Sequence, residues 1–225
     1  MVYRAIVVDV DGTLTFEDRS LDCRAVEALR SLEVPVVIAT GNVLCSARTA
    51  SKLIGTGGIV IAENGGAVEC GIVEYDTTYK QRCEEAFEFL SRHLALEKLD
   101  PENRKTEVGL RRNFDVEKAR EMLKAAFPDI EIVDTGFAVH IKGKSINKGT
   151  GLRRIAELMG LESKDFVAIG DSPNDVEMLE VAGFGVAVGN AHPALKRVAD
   201  LVTEGKHGAG VAEAVGELKK RREII

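Results

Sequence analysis

The sequence predicts an α/β fold: a Rossmann-like parallel sheet core with helices on both faces, interrupted by a small inserted α+β cap domain. Two observations predict it. Short, uniformly apolar runs alternate with amphipathic segments along most of the chain, and between about residues 80 and 147 that rhythm gives way to strands that alternate polar and apolar residues.

The apolar runs read as strands buried on both faces: AIVVDV (5–10), VPVVIAT (34–40), GIVIAE (58–63), FVAIGD (166–171), FGVAVG (184–189) and ADLVT (199–203). Amphipathic segments at 22–32, 43–54, 148–160, 174–182 and 191–197 read as the helices between them. Asn64-Gly65, between IVIAE and GAVEC, is a hairpin signal. The insert reads as a helix (81–97), the strand TEVGLR (106–111), a helix (115–126) and two strands, IEIVD (130–134) and FAVHIK (137–142), joined at Thr135-Gly136. The expected division is therefore core 1–79, cap 80–147 and core 148–225. The basic run LKKRREII at the C-terminus reads as a solvated helix end, where cations complement the helix dipole.

With 225 residues, 45% of them hydrophobic and 29% charged, the chain can bury a substantial core. A net charge of -6 argues against nucleic acid or an anionic membrane as a partner held by bulk electrostatics. The first strand begins without a signal-type leader, and no apolar stretch reaches membrane-spanning length. Cys23, Cys45, Cys70 and Cys83 form no C-x-x-C pair and have no histidine at zinc-site spacing, so reduced thiols in a cytoplasmic protein are expected.

The chemistry concentrates at strand ends. Asp9 and Asp11, two apart, are expected to project to one side at the carboxyl end of the first strand, where Gly12 turns the chain away and where open α/β sheets bind ligands. A strand followed by an Asp-Gly turn is the ordinary alternative. A second acidic pair changes the balance, because GDSPND (170–175) ends another apolar strand with Asp171 and starts a helix near Asp175. Helix capping explains one of these acids but hardly both. If the two strands are neighbours, like charges at ~4 Å cost about 4 kcal/mol per pair at an effective dielectric near 20, so the cluster calls for a proton or a cation. Aspartate oxygens with water suit Mg²⁺.

Two more loops reach the same edge. VVIATGN ends in Thr40-Gly41-Asn42 before a helix, where a hydroxyl and backbone N–H groups can receive an anion, although Asn42 also reads as an ordinary cap. Lys148 in INKGTGL stands at a helix start, against the dipole, and a phosphate above the acids would pair with it.

These motifs resemble the haloacid dehalogenase-like superfamily of phosphohydrolases. DVDGT (9–13), Thr40, Lys148 and GDSPND (170–175) match its four motifs in order, and an insert between the second and third resembles the Cof-type branch. The INKG stretch and the E-N-G-G loop are similar to those of the archaeal phosphoglycolate phosphatases. The resemblance implies a Mg²⁺-dependent phosphatase acting on a small phosphorylated metabolite, 2-phosphoglycolate first, as a monomer or homodimer. It implies Asp9 as nucleophile, and Asp11 as general acid and base with its backbone carbonyl on the metal. Asp9, Asp171 and Asp175 would serve the metal, and Thr40, Gly41, Lys148 and Asn174 the phosphate. A sugar-phosphate or mannosyl-phosphoglycerate phosphatase, a phosphomutase and a non-hydrolytic phosphometabolite sensor are the alternatives. In the cap, Arg111, Arg112, His140, Lys142 and Lys144 could reach a substrate carboxylate, with ordinary surface charge the competing explanation.

Overall fold

A computed structural model describes residues 2–224. The chain runs through β1 (Ala5–Asp9), α1 (Cys23–Arg30), β2 (Val36–Ala39), α2 (Leu44–Ile54) and β3 (Val60–Ala62), then the antiparallel strands β4 (Ala67–Cys70) and β5 (Ile72–Tyr75). The insert holds α3 (Lys80–Ser91), β6 (Lys98–Leu99), β7 (Val108–Arg111), α4 (Val116–Ala126), β8 (Ile130–Asp134) and β9 (Ala138–Gly143). The core resumes with α5 (Lys148–Met159), β10 (Phe166–Gly170), α6 (Val176–Val181), β11 (Phe184–Ala187), α7 (Pro193–Lys196), β12 (Leu201–Val202) and α8 (His207–Lys220).

The large sheet has the order β12-β11-β10-β1-β2-β3-β4-β5. The six strands expected to be parallel are parallel, and the hairpin adds β4 and β5 antiparallel at one edge, so the sheet is mixed. Strand periodicity explains its two faces. Ile6 and Val8 face α1, α2 and α8 through Leu29, Ala47 and Val211, while Ala5 and Val7 face α5 and α6 through Leu152, Ile155 and Met178. Both sets are fully or almost fully buried, and each large apolar side chain so placed contributes about 1.5–3 kcal/mol. Asp22 caps α1 and Asn147 caps α5 with a reciprocal Thr150 bond.

Two expectations are corrected and one is refined. The first cap helix stops at Ser91 instead of 97, because Lys98 and Leu99 pair with Leu110 and Gly109 of β7 and Leu94 and Leu96 pack into the cap core. The hairpin expected at Asn64-Gly65 forms, with β3 and β4 antiparallel and Ala62 opposite Ala67; its turn is a 3₁₀ turn over Glu63–Gly65 in which Glu63 and Asn64 both take positive φ and are buried. Strand β5 was not anticipated, since its Ile72, Val73 and Tyr75 are exposed on the sheet edge and carry no buried-strand pattern.

The cap is a second sheet, β6-β7-β9-β8, with α3 and α4 on one face. Its other face covers the carboxyl edge of the core sheet, beside β1 and β10 where the strand order reverses. Among the described residues no helix is long and apolar enough to cross a membrane.

Candidate active site

Strands β1 and β10 lie side by side with Val8 opposite Ile169, so their acidic ends meet. Carboxylate oxygens of Asp9, Asp171 and Asp175 all lie within 4.8 Å of one another. Gly12 permits this: its φ is +92°, and a Cβ there would stand 2.4 Å from Oδ2 of Asp171. Nζ of Lys148, the first residue of α5, donates to Oδ1 of Asp9 and Oδ1 of Asp175, each at 2.6 Å. Oδ2 of Asp175 accepts the N–H groups of Asp171 and Ser172 at 3.1 and 3.0 Å, and Thr13 donates to Asp171 at 2.9 Å. Oδ2 of Asp9 is buried with no hydrogen-bond partner among the described residues.

Electrostatics follows from this crowding. Burial, reinforced by the charges of Asp175 and Asp171, raises the Asp9 carboxyl well above the ordinary range despite Lys148. Burial and then Asp175 push Asp171 up to about 6. Burial alone would lower Lys148, but Asp175 and Asp9 reverse this and hold it protonated. One lysine cannot neutralise three carboxylates, and an all-oxygen donor set with a buried, unpartnered oxygen fits a hard divalent cation.

Asp11 lines the same cavity as Asp9 but does not join the acidic cluster. Its carboxylate accepts from Nε of Arg19 at 3.1 Å and from Nδ2 of Asn42 at 2.7 Å. Asn42 therefore does not cap α2, which has no side-chain cap; it bridges Asp11 and the hydroxyl of Thr40, 3.1 Å away. Thr40 is buried at the end of β2, and its Oγ1 also accepts the N–H of Asn42. Gly41 lines the cavity, and its carbonyl accepts from Nη1 of Arg104 at 3.1 Å. Asn174 donates to Oδ1 of Asn64 at 3.1 Å and accepts from Ser172. Thus all eight residues singled out for the site lie at one sheet edge, with Asp11 and Asn174 at its rim.

The roof comes from the cap by simple alternation. Val108 and Leu110 of β7 and Val139 and Ile141 of β9 point into the cap core, so Glu107 before β7 and His140 and Lys142 of β9 take the other face. Glu107 is buried and accepts from Arg104, from His140 Nδ1 at 2.7 Å and from Asn64 at 3.0 Å. Burial would raise its carboxyl, but His140, Arg104 and Asn64 outweigh that and hold it at about 2. Glu63 of the core hairpin accepts the N–H of Lys105 and both the N–H and hydroxyl of Thr106, the latter two at 2.8 Å, fastening cap to core.

His140 and Lys142 are consequently not surface charges. Lys142 is held by Glu131 at 2.5 Å and by the Ile146 carbonyl, whereas Arg111, Arg112 and Lys144 are exposed and engaged by Glu97, Asp134 and the Pro128 carbonyl. Arg19, Asn64, Arg104 and Glu107 escaped the sequence reading. Asn64 registers as a turn within the E-N-G-G loop but with no site role, and Arg104 lies in a polar loop, but Glu107, in register with the inward-facing gap left by Val108 and Leu110, could have been found from alternation. Asp9, Asp11, Arg19, Gly41, Arg104 and His140 line a cavity of about 180 Å³.

The family model described as haloacid dehalogenase-like hydrolase matches residues 6–99 and 101–215. A protein named phosphoglycolate phosphatase from Methanosarcina acetivorans is 57% identical over 220 residues, covering 96% of each chain. One of the same name from Archaeoglobus fulgidus is 49% identical, covering 94% of this chain and 95% of its own. A crystal structure of a Thermoplasma acidophilum protein superposes with a TM-score of 0.86 at 25% identity over the full length of both chains.

Proposed function

The chain belongs to the haloacid dehalogenase-like hydrolases, and from that premise we propose that it is a phosphatase whose substrate is a small phosphomonoester, 2-phosphoglycolate first. The carrying observation is Asp9, a buried carboxylate on the cavity floor with one oxygen held by Lys148 and the other unpartnered. An Asp9 oxygen bonds to phosphorus as the ester P–O bond breaks, and Asp11 gives its proton to the leaving alkoxide. Water then attacks the phosphorus, Asp11 takes its proton, and the Asp9–phosphorus bond breaks to release phosphate.

Asp9, Asp171 and the Asp11 carbonyl would hold Mg²⁺, which supplies the positive charge that lets a carboxylate meet a phosphate dianion. Asp175 has both oxygens committed, so it serves by seating Lys148 and the Asp171 loop. Thr40, Gly41 and Lys148 would bind the phosphoryl oxygens, and Asn174 would steady the rim.

Support for phosphoglycolate comes from the names of the relatives above and from the cavity of about 180 Å³ over Asp9, which a substrate of few atoms fits. Four unpaired cysteines, two of them exposed, suit a reducing cytoplasmic setting. The test is phosphate release with Mg²⁺ across phosphoglycolate, hexose phosphates, phosphoglycerates and nucleotides. Phosphoglycolate should lead; a clear preference for hexose phosphates would overturn the substrate and leave the chemistry standing.

A further inference from the structure

Facing the acids across the cavity is a buried arginine–histidine pair whose job the chemistry at Asp9 does not require. Arg104 and His140 are 3% and 2% exposed, yet both line the cavity. Glu107 receives Nη1 of Arg104 and Nδ1 of His140 on the same oxygen, and Asn64 occupies its other oxygen. Nη1 also donates to the Gly41 carbonyl, so the guanidinium is tied to cap and core together. Nε of Arg104 is buried without a partner, and among the described residues neither Nη2 of Arg104 nor Nε2 of His140 makes a hydrogen bond.

The backbone leaves room for this arrangement. Gly109 stands opposite His140 in the β7–β9 pairing, and a Cβ there would lie 2.3 Å from Nε of Arg104. A purely structural ion pair would be expected to spend its donors inside the protein, since a buried donor left unpaired is costly. Planar, forked donors beside an imidazole instead match a carboxylate. The other arginine on the cavity, Arg19, is half-exposed and already occupied by Asp11.

We propose that Arg104 and His140, oriented by Glu107, form the subsite that binds the carboxylate of the substrate's leaving group, so that the cap selects phosphomonoesters carrying an acid group close to the phosphate. This rests on the phosphoglycolate reading and adds the residues that enforce it. Arg104 and His140 touch substrate; Glu107 is a positioning residue.

The experiment compares kcat/KM for 2-phosphoglycolate with that for 2-hydroxyethyl phosphate, which replaces the carboxylate by a neutral hydroxymethyl group. Wild type should favour the acid, and Arg104→Gln should shrink that ratio about 100-fold, chiefly through KM, with His140→Gln shrinking it about 10-fold. Arg104→Lys, which retains the charge without the fork, should recover part of the ratio, and Glu107→Gln should lower it with a smaller change in the neutral ester. Equal losses on both esters in Arg104→Gln and Arg104→Lys, with wild type preferring the acid, would overturn the subsite and spare the substrate. A wild type indifferent to the carboxylate would overturn both.

Discussion

Nζ of Lys148 lies 2.6 Å from Oδ1 of Asp9, with both side chains buried and joined by residues 139 positions apart in the chain. In the proposed mechanism this pair holds the nucleophilic carboxylate, and among the described residues Lys148 is the cation hydrogen-bonded within the three-carboxylate cluster. Lys148→Met keeps the side-chain length and removes the charge. It should cut kcat by at least about 10²–10³-fold and lower stability by about 3–5 kcal/mol in chelator. Steady-state phosphate release and urea unfolding measure the two; near-normal turnover in this variant would dismiss the role given to Lys148.

Asp9→Asn should abolish phosphate release, by about 10⁴-fold or more, while circular dichroism and the unfolding transition remain those of a folded protein. The amide keeps the shape and removes the proposed nucleophile. Wild-type-like turnover would sink the mechanism.

Divalent cation should stabilise the protein through Asp171. Its carboxyl sits at about 6 against an ordinary 3.8, so ionising it at neutral pH costs the cation-free fold about 3 kcal/mol. A raised carboxyl favours folding below its ordinary pKa, and that contribution is lost as pH climbs toward and past 6. Adding Mg²⁺ at pH 7 should therefore raise the melting temperature by several degrees, with a smaller response at pH 5. Asp171→Asn should melt higher than wild type in chelator and lose the Mg²⁺ response; an undiminished response would place the cation elsewhere.

Glu107 works in the opposite sense. Held at about 2 against an ordinary 4.5, it contributes on the order of 3 kcal/mol above pH 4.5 and loses it as pH falls toward 2. The stability gap between wild type and Glu107→Gln should be widest above pH 5 and close through that window. A gap independent of pH would show that packing, not charge, sets the contribution of Glu107.

The fastening of cap to core at Glu63 is testable separately. Glu63→Ala leaves the N–H groups of Lys105 and Thr106 without their acceptor, which should cost about 1–3 kcal/mol. Hydrogen exchange should accelerate at those two amides; unchanged protection would show that other contacts seat the cap.

Much of the site was legible because its parts are local patterns. DVDGT, Thr40-Gly41, Lys148 and GDSPND each end a strand or open a helix, and the parallel pairing of β1, β2 and β10 puts their carboxyl ends on one edge. The roof was legible in principle through Glu107 and His140, polar residues at alternating positions beside and within the cap strands. Their significance was hidden because a charge on a half-buried strand ordinarily faces water.

Residue spacing in this chain dictates where strands and helices form, which strands are buried on both faces, and which acids stand at the sheet's carboxyl edge. It does not record that Asp11 turns to Arg19 and Asn42 while Asp9 joins Asp171, nor that Arg104 and His140 are buried over the acids around one glutamate. Periodicity acts over two to four residues, through backbone geometry and hydrophobic burial. The meeting of Glu107 with Asn64, or of Arg104 with Gly41, spans 43 and 63 residues and exists only once the cap has packed on the core and excluded water from their charges.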